Sequence, residues 1–278
     1  MRASAWKWSI AAVAPLLLAA CANSLQNGGA TWQPVSQNRL LHAASDDGWL
    51  MYLRTYRMQG HVPFTEINTK NVAALHEVFT HRVNLTEGFE APPIVNGRTM
   101  IVTTPMDHIY ALDATTGKQL WAYDYPLATK EIRTVCCDVV NRGVAVYGDQ
   151  IFMSTLDNHV LALDARTGKV NWNKAFSPPG IGYDMTGAPL VIHGIVIQGD
   201  GGGEFGSRGF IVGLDASTGA EKWRFYTIPS PKDPGGKTWP GKTYLHGGGD
   251  PWMTGSYDDQ SNTLFYGVGN PGPWLASQ

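Results

Sequence analysis

The sequence is poor in cysteine and in charge, and it has only one long apolar run. It holds 3 cysteines in 278 residues, and neither these nor the 8 histidines form a cluster with zinc spacing. A Cys-x-x-Cys-His motif is missing, so no c-type haem is attached within this stretch. The 21 basic residues do not outnumber the 23 acidic ones, which argues against a nucleic-acid partner.

The one long apolar run covers residues 10–20 and follows two basic residues, a layout typical of a secretory signal. It is too short to span a bilayer. Its end, Leu18-Ala19-Ala20-Cys21, is similar to a lipoprotein signal, in which the cysteine is acylated. The alternative is a plain secretory signal with an incidental cysteine. We expect a signal peptide over residues 1–20, lipid on Cys21, and a periplasmic protein that contacts the membrane only through this anchor.

The remaining chain has a net charge of −4, with 19 basic and 23 acidic residues. Residues 21–40 are rich in Asn, Gln, Ser and Gly and are predicted to form a flexible tether. Gly and Pro together supply 49 of 278 residues. That share is well above the ~12% of average proteins. The composition favours a turn-rich β protein.

A repeated motif, Leu-Asp-Ala-x-Thr-Gly followed by Trp, predicts the fold. A strand-like run precedes each copy, and a repeat of this length is typical of a β-propeller blade. Asp and Thr can bond the turn backbone, Gly can take a positive φ, and Trp can be buried between blades. We therefore predict an all-β propeller over residues 41–278. The copies start at Leu112, Leu163 and Leu214, their tryptophans Trp121, Trp172 and Trp223 are 51 residues apart, and the runs are 100–104, 151–154 and 195–198.

Cys136 and Cys137 are adjacent in the chain. Neighbouring Cα atoms lie ~3.8 Å apart, less than the roughly 4.4 to 6.8 Å of an ordinary disulfide. A bond between them would distort its own peptide, and such strain tends to persist where a site needs it. The alternative is two reduced, buried thiols. Export to an oxidising compartment favours the bond.

A glycine-rich insertion lengthens the third repeat. The loop over residues 199–209 has eleven residues where the second repeat has five, and Glu204 lies inside it. No Gly-Lys-Ser/Thr and no helix pattern follows, which argues against a nucleotide loop. The loop is either a mobile glycine hairpin or a carboxylate held where backbone and cofactor approach closely.

Four segments together carry a family resemblance: residues 88–92, 136–143, 202–204 and 252–271. From about Trp49 to its end, the chain resembles the quinoprotein alcohol dehydrogenases, the pyrroloquinoline quinone (PQQ) enzymes of the methanol and ethanol dehydrogenase family. The resemblance implies an eight-bladed propeller with docked tryptophans, of which this chain would be the N-terminal half. It also implies that the general base, an aspartate, lies beyond Gln278, so no catalytic residue is assigned and the chain alone is expected to be inactive.

The resemblance also implies the cofactor contacts. PQQ would lie between a Cys136–Cys137 disulfide and the ring of Trp252. A position that is often serine in the family is Gly201 here, which removes a hydroxyl contact. The alternative interpretations are a surface acid for Glu90, a surface ion pair for Arg142 and a strand-edge hydroxyl for Thr186. The expected polar contacts are Glu90, Arg142 and Thr186, and the expected close backbone contacts are Gly202 and Gly203.

Glu204 and Asn270 resemble the family's metal ligands. Both offer hard oxygen donors, which suit Ca²⁺ and argue against a soft metal, and a lanthanide stays open. The metal would polarise a quinone carbonyl.

The implied reaction is the oxidation of a small primary alcohol to an aldehyde by hydride transfer, with a cytochrome c or similar periplasmic protein as electron acceptor. The competing interpretation is a non-catalytic outer-membrane assembly lipoprotein, a binding scaffold that also combines a lipidated cysteine with such repeats. It leaves Cys136, Cys137, Glu204 and Asn270 unexplained.

Overall fold

The computed structural model describes residues 32–128, 130–177 and 182–272. Within them the chain forms three antiparallel sheets of four strands and one of two, which confirms the all-β, propeller-like fold. The first sheet contains β1 (Ile94–Asn96), β2 (Thr99–Thr103), β3 (His108–Asp113) and β4 (Gln119–Asp124). The second contains β5 (Val144–Tyr147), β6 (Gln150–Ser154), β7 (His159–Asp164) and β8 (Val170–Ala175). The third contains β9 (Leu190–Ile192), β10 (Ile195–Gly199), β11 (Phe210–Asp215) and β12 (Glu221–Tyr226), and the fourth contains β13 (Ser256–Asp258) and β14 (Thr263–Phe265).

Helices are short in this part of the chain. The α-helix α1 (Gln37–Leu41) begins after Ser36, whose hydroxyl accepts the Arg39 N–H. The remaining helical turns are 3₁₀ turns at Ala43–Ser45, Val72–Ala74, Pro105–Asp107, Glu131–Thr134, Gly203–Phe205, Gly236–Thr238 and Thr243–His246. No helix among the described residues is both long enough and apolar enough to cross a membrane.

The repeated motif forms the turn between the third and fourth strands of each four-stranded sheet. In the second sheet, Asp164 Oδ1 accepts the N–H groups of Arg166 at 3.1 Å and Thr167 at 2.9 Å. Gly168 then adopts φ +71°, a conformation that glycine takes without steric cost. In this turn, therefore, the Asp164 side chain accepts the backbone N–H groups, in place of a backbone carbonyl.

Two of the motif's three tryptophans, Trp121 and Trp172, lie between consecutive sheets. Trp121 donates its indole N–H to the Ala165 carbonyl at 3.1 Å, and its ring covers Gly168. Trp172 bonds Ala216 in the same way at 3.0 Å. These contacts join the first sheet to the second and the second to the third.

The predicted tether over residues 21–40 is wrong for residues 32–40, which belong to the folded unit. Trp32, Val35 and Leu40 are buried in the main core. The stretch is polar in composition, so its few, widely spaced apolar residues did not predict a folded segment. Residues 21–31 lie outside the described residues, as do the predicted signal peptide over residues 1–20 and Cys21.

Residues 32–57 form a strap, hereafter the N-terminal strap, that hydrogen-bonds to all four sheets. Their partners are far apart in sequence, so the strap fixes the sheets relative to one another. Trp49 pairs with Val95 at the first sheet, and Val35 pairs with Gly148 at the second. At the third sheet, the His193 N–H donates to the Gln37 side-chain oxygen and the Tyr56 hydroxyl donates to the Val191 carbonyl. At the fourth, the Tyr257 N–H donates to the Tyr56 carbonyl.

Candidate functional site

One cavity of about 230 Å³ collects nearly all of the predicted site residues. Glu90 is the predicted residue that does not line it. Two lining carboxyl groups were not predicted from the sequence. The lining residues are Cys136, Cys137, Arg142, Asp184, Thr186, Gly201, Gly202, Gly203, Glu204, Asp250, Trp252, Gly269 and Asn270.

Cys136 and Cys137 are joined by a disulfide bond. The segment reaches the cavity after the 3₁₀ turn at Glu131–Thr134. Cys137 and the following Asp138 take positive φ values of 69° and 79°. A non-glycine residue held there costs of order 1 to 3 kcal/mol and is common at functional sites. The bonded pair thus gives the cavity a compact wall of two sulfur atoms.

Arg142 connects the predicted polar contacts to one another. Its guanidinium donates to Thr186 Oγ1 at 2.6 Å and pairs with the exposed Glu90 carboxylate at 2.8 Å. The backbone N–H of Arg142 also donates to the Thr186 carbonyl at 2.9 Å. Glu90 therefore reaches the site through Arg142 and not as a lining residue.

Trp252 lines the cavity and is 42% exposed. The Arg142 guanidinium lies 5.0 Å from the ring centroid, within cation–π range. An indole face beside a guanidinium suits a flat ligand that carries carboxylates, since arginine binds carboxylates through two parallel hydrogen bonds.

The glycines of the 199–209 loop allow close packing around the cavity. A Cβ on Gly202 would lie 1.6 Å from the Gly182 carbonyl oxygen. A Cβ on Gly201 would lie 2.2 Å from Asp184 Oδ1. The Asp184 carboxylate therefore takes the space beside Gly201 where we expected a lost serine hydroxyl.

Glu204 and Asn270, the predicted metal ligands, both line the cavity with exposed side chains. The Asn270 carbonyl accepts the Gly249 N–H at 2.9 Å, and its amide nitrogen donates to Pro271 O at 3.2 Å. The amide oxygen is then the side-chain atom suited to a cation. No group of three His, Cys, Asp or Glu side chains that could hold a metal ion is found in the part of the chain that the structure describes.

Asp184 and Asp250 are the lining residues that sequence reasoning missed. Burial, aided by the negative charges of Asp250 and Glu204, raises the pKa of Asp184 to about 7. Burial also raises the pKa of Asp250 to about 6, although the Ser207 hydroxyl donates to Asp250 Oδ1 at 2.6 Å. Asp184 lies two residues before Thr186, and Asp250 lies two before Trp252. Closeness to predicted site residues is the one signal that could have found them.

The described residues fit both PQQ and a hard cation. The disulfide, the indole and the guanidinium suit a flat anion. The glycines leave room that side chains would fill, and the carboxylate and amide oxygens suit Ca²⁺ or a lanthanide.

Comparison with known proteins points to one family. Residues 49–275 match the family model described as PQQ, glucose/ethanol/alcohol dehydrogenase, beta-propeller domain. A curated relative, quinohemoprotein alcohol dehydrogenase ADH IIB of Pseudomonas putida, is 41% identical over 81% of this chain and 34% of its own length. The quinoprotein ethanol dehydrogenase of Pseudomonas putida is 36% identical over 94% of this chain and 45% of its own length.

Solved structures agree with this match. A europium-containing methanol dehydrogenase superposes with a TM-score of 0.81 and 35% identity, over 87% of this chain and 46% of that one. The quinohemoprotein alcohol dehydrogenase of Comamonas testosteroni has a TM-score of 0.79 and 32% identity, over 92% of this chain and 39% of that one. The chain thus spans between about a third and a half of the length of its relatives.

Proposed function

Since the chain belongs to the PQQ glucose/ethanol/alcohol dehydrogenase β-propeller family, we propose that it binds PQQ and serves an enzyme that oxidises primary alcohols to aldehydes. One observation carries the proposal. The Cys136–Cys137 disulfide and Arg142 line a single cavity with Trp252, which lies more than a hundred residues further along the chain. The names of the relatives, which include ethanol and 1-butanol dehydrogenases, support an alcohol as substrate.

In this proposal the chain binds and orients the cofactor. Trp252 offers its ring face and the disulfide offers a second apolar surface for the flat quinone. Arg142 binds a carboxylate, with Thr186 and Glu90 holding the guanidinium in place. Gly202 and Gly203 let the backbone approach the cofactor, since neither carries a side chain.

Glu204 and Asn270 would hold Ca²⁺ or a lanthanide through their oxygen atoms. When bound, PQQ would supply a carbonyl carbon able to accept hydride from the alcohol, and the cation held by Glu204 and Asn270 would polarise that carbonyl. We assign no general base among the described residues. The chain would form the N-terminal half of an eight-bladed propeller whose repeats dock through their tryptophans.

We also propose that the protein is periplasmic and lipid-anchored at Cys21, and that a cytochrome c or similar protein accepts its electrons. The signal-like residues 1–20 support the location, and the quinohemoprotein names of relatives support the acceptor. The scaffold interpretation is not favoured. The function of a scaffold needs neither the disulfide nor the cavity, and the relatives named above are dehydrogenases.

PQQ binding to the chain tests the proposal. PQQ added with Ca²⁺ should quench tryptophan fluorescence and give a saturable heat of binding. Arg142→Gln should weaken binding by roughly tenfold or more, because it removes a charge-assisted hydrogen bond worth about 1.5 to 3 kcal/mol. Trp252→Ala should weaken binding too, whereas Trp223→Ala, outside the cavity lining, should not. No saturable binding by the folded wild-type chain would overturn the proposal.

A further inference from the structure

Asp250 places a buried carboxylate in the cavity with one oxygen unsatisfied. The residue is only 4% exposed. Its Oδ1 accepts the Ser207 hydroxyl, but its Oδ2 has no N–H or neutral hydroxyl donor in the part of the chain that the structure describes. Buried polar atoms are nearly always paired, so an orphaned carboxylate oxygen that lines a cavity needs an explanation such as a bound ion.

Among the described residues that line the cavity, none gives Asp250 a free positive charge. Asp184 and Glu204 also line the cavity, and Asp200 is a carboxyl group within side-chain hydrogen-bonding reach of Asp250. Arg142 is the cationic side chain in the lining, and it is engaged by Glu90 and Thr186. Besides Ser207, the donor available to the Asp250 carboxylate is the protonated Asp200 carboxyl, and a bound cation would take the place of that proton.

The backbone places Asp250 against the residues that directly precede the two predicted metal ligands. Its Oδ2 lies 2.5 Å from the position that a Cβ on Gly203 would take, and Gly203 directly precedes Glu204. The Asp250 carbonyl accepts the N–H of Gly269 at 3.0 Å, and Gly269 directly precedes Asn270. One residue thus touches the neighbour of each predicted ligand.

We propose that Asp250 is a further metal ligand, a second carboxylate that binds the same cation as Glu204 and Asn270. The inference rests on the proposed function, because it concerns the metal of that site. It goes beyond the family resemblance, which implied Glu204 and Asn270 alone. A second carboxylate raises the negative charge of the ligand set, which strengthens binding and favours a trivalent lanthanide over Ca²⁺.

Terbium luminescence tests the assignment on the full chain without PQQ, because Trp252 lines the cavity and can sensitise a bound Tb³⁺. Asp250→Asn keeps the size of the side chain and should lower Tb³⁺ affinity by about tenfold or more. Ca²⁺ affinity, measured by competition, should fall by a smaller factor. Asp184→Asn removes the same charge from the same cavity and is the matched control. It should lower the affinity by no more than about threefold.

Luminescence decay in H₂O and D₂O separates ligation from a purely structural role. Asp250→Ala should admit about one additional water to the bound Tb³⁺, because a ligand oxygen is lost. Near-UV circular dichroism verifies the fold of each variant. If the Asp250 variants do not fold, Ser207→Ala, which removes the donor to Oδ1, should still lower Tb³⁺ affinity. Unchanged affinity and water number, or an equal loss in Asp184→Asn, would overturn the proposal.

Glu204→Gln distinguishes this inference from the proposed function. If Glu204→Gln removes binding while the Asp250 variants bind like wild type, the inference fails and the metal site stands. If Glu204→Gln also binds like wild type, the metal site itself is refuted and the assignment of Asp250 with it.

Discussion

At the residue scale, the bonded Cys136–Cys137 pair should control cofactor binding more than folding. The pair lines the cavity and belongs to no strand, so its loss removes a contact surface while the sheets stay intact. We expect the Cys136→Ser/Cys137→Ser variant to bind PQQ about tenfold more weakly, which corresponds to a loss of roughly 1.4 kcal/mol of binding free energy. Near-UV circular dichroism should be nearly unchanged. Alkylation of both cysteines without reductant would contradict the bond.

Buried carboxyl groups should make the metal-free protein more stable in mild acid. Burial raises the pKa of Asp107 to about 7 and raises that of Asp200 well above its usual range. Between pH 5 and 7 the folded state therefore holds protons that the unfolded state has lost, so stability falls as pH rises. The Thr115 hydroxyl lowers the pKa of Asp113 to about 2, so the ionisation of Asp113 changes the stability only below pH 5.

The measurement is urea unfolding with a chelator at pH 5, 6, 7 and 8. The free energy of unfolding should be highest at pH 5 and should fall across this range. A rise in stability with pH would show that these carboxyls are ionised in the folded protein.

The predicted location at the membrane depends on acylation of Cys21. If it is acylated, the exported protein should sediment with membranes, and Cys21→Ser should release it into the soluble fraction. The bound acyl chains should also appear in the mass of the wild-type protein alone. A wild-type protein that is exported but soluble would contradict the anchor.

Site residues were predictable only where a motif marks them. Arg142 and Trp252 stand in family-like segments, and the structure brings them to one cavity. Asp184 and Asp250 were not predictable, because their burial arises from contacts with the glycine loop and the opposing backbone. A lone aspartate in a sequence looks the same whether it is exposed or buried.

At the scale of elements, the tryptophan between sheets should contribute heavily to stability. Trp121→Ala removes a buried ring and its hydrogen bond to Ala165, and should destabilise the protein by about 3 to 5 kcal/mol. Trp223 occupies the same motif position but is 38% exposed, so Trp223→Ala should cost clearly less. Chemical denaturation of both variants gives the comparison, and equal losses would contradict the role of Trp121 between sheets.

The strands of the repeats were predictable to within about one residue, because apolar runs and turn residues recur with them. The run predicted over 100–104 is β2 (Thr99–Thr103), and the run over 195–198 is β10 (Ile195–Gly199). The N-terminal strap was not predictable. The strap is held in place by hydrogen bonds to residues more than a hundred positions away, and these partners cannot be predicted from the local composition.

At the scale of the whole molecule, exposed aromatic residues on β12 and β14 should make the chain self-associate. Phe225 is 61% exposed and Phe265 57% exposed, and β12 is an edge strand of its sheet. Such edges pair with other chains unless they are covered. Phe225→Lys should shift the light-scattering mass toward the monomer, whereas Leu75→Lys, at an equally exposed position away from this edge, should not. A wild-type monomer at high concentration would contradict the prediction.

The N-terminal strap bears on whether the protein must be one continuous chain. Residues 59–90, which follow it, are exposed or half-exposed throughout and contain no strand. A protease cut in this stretch would leave the strap held by its hydrogen bonds to four sheets and by its buried apolar side chains. Residues 32–57 could therefore be supplied as a separate peptide, so the protein lends itself to fragment complementation. The fold would then depend on the interface between the two fragments more than on the peptide bond that joins them.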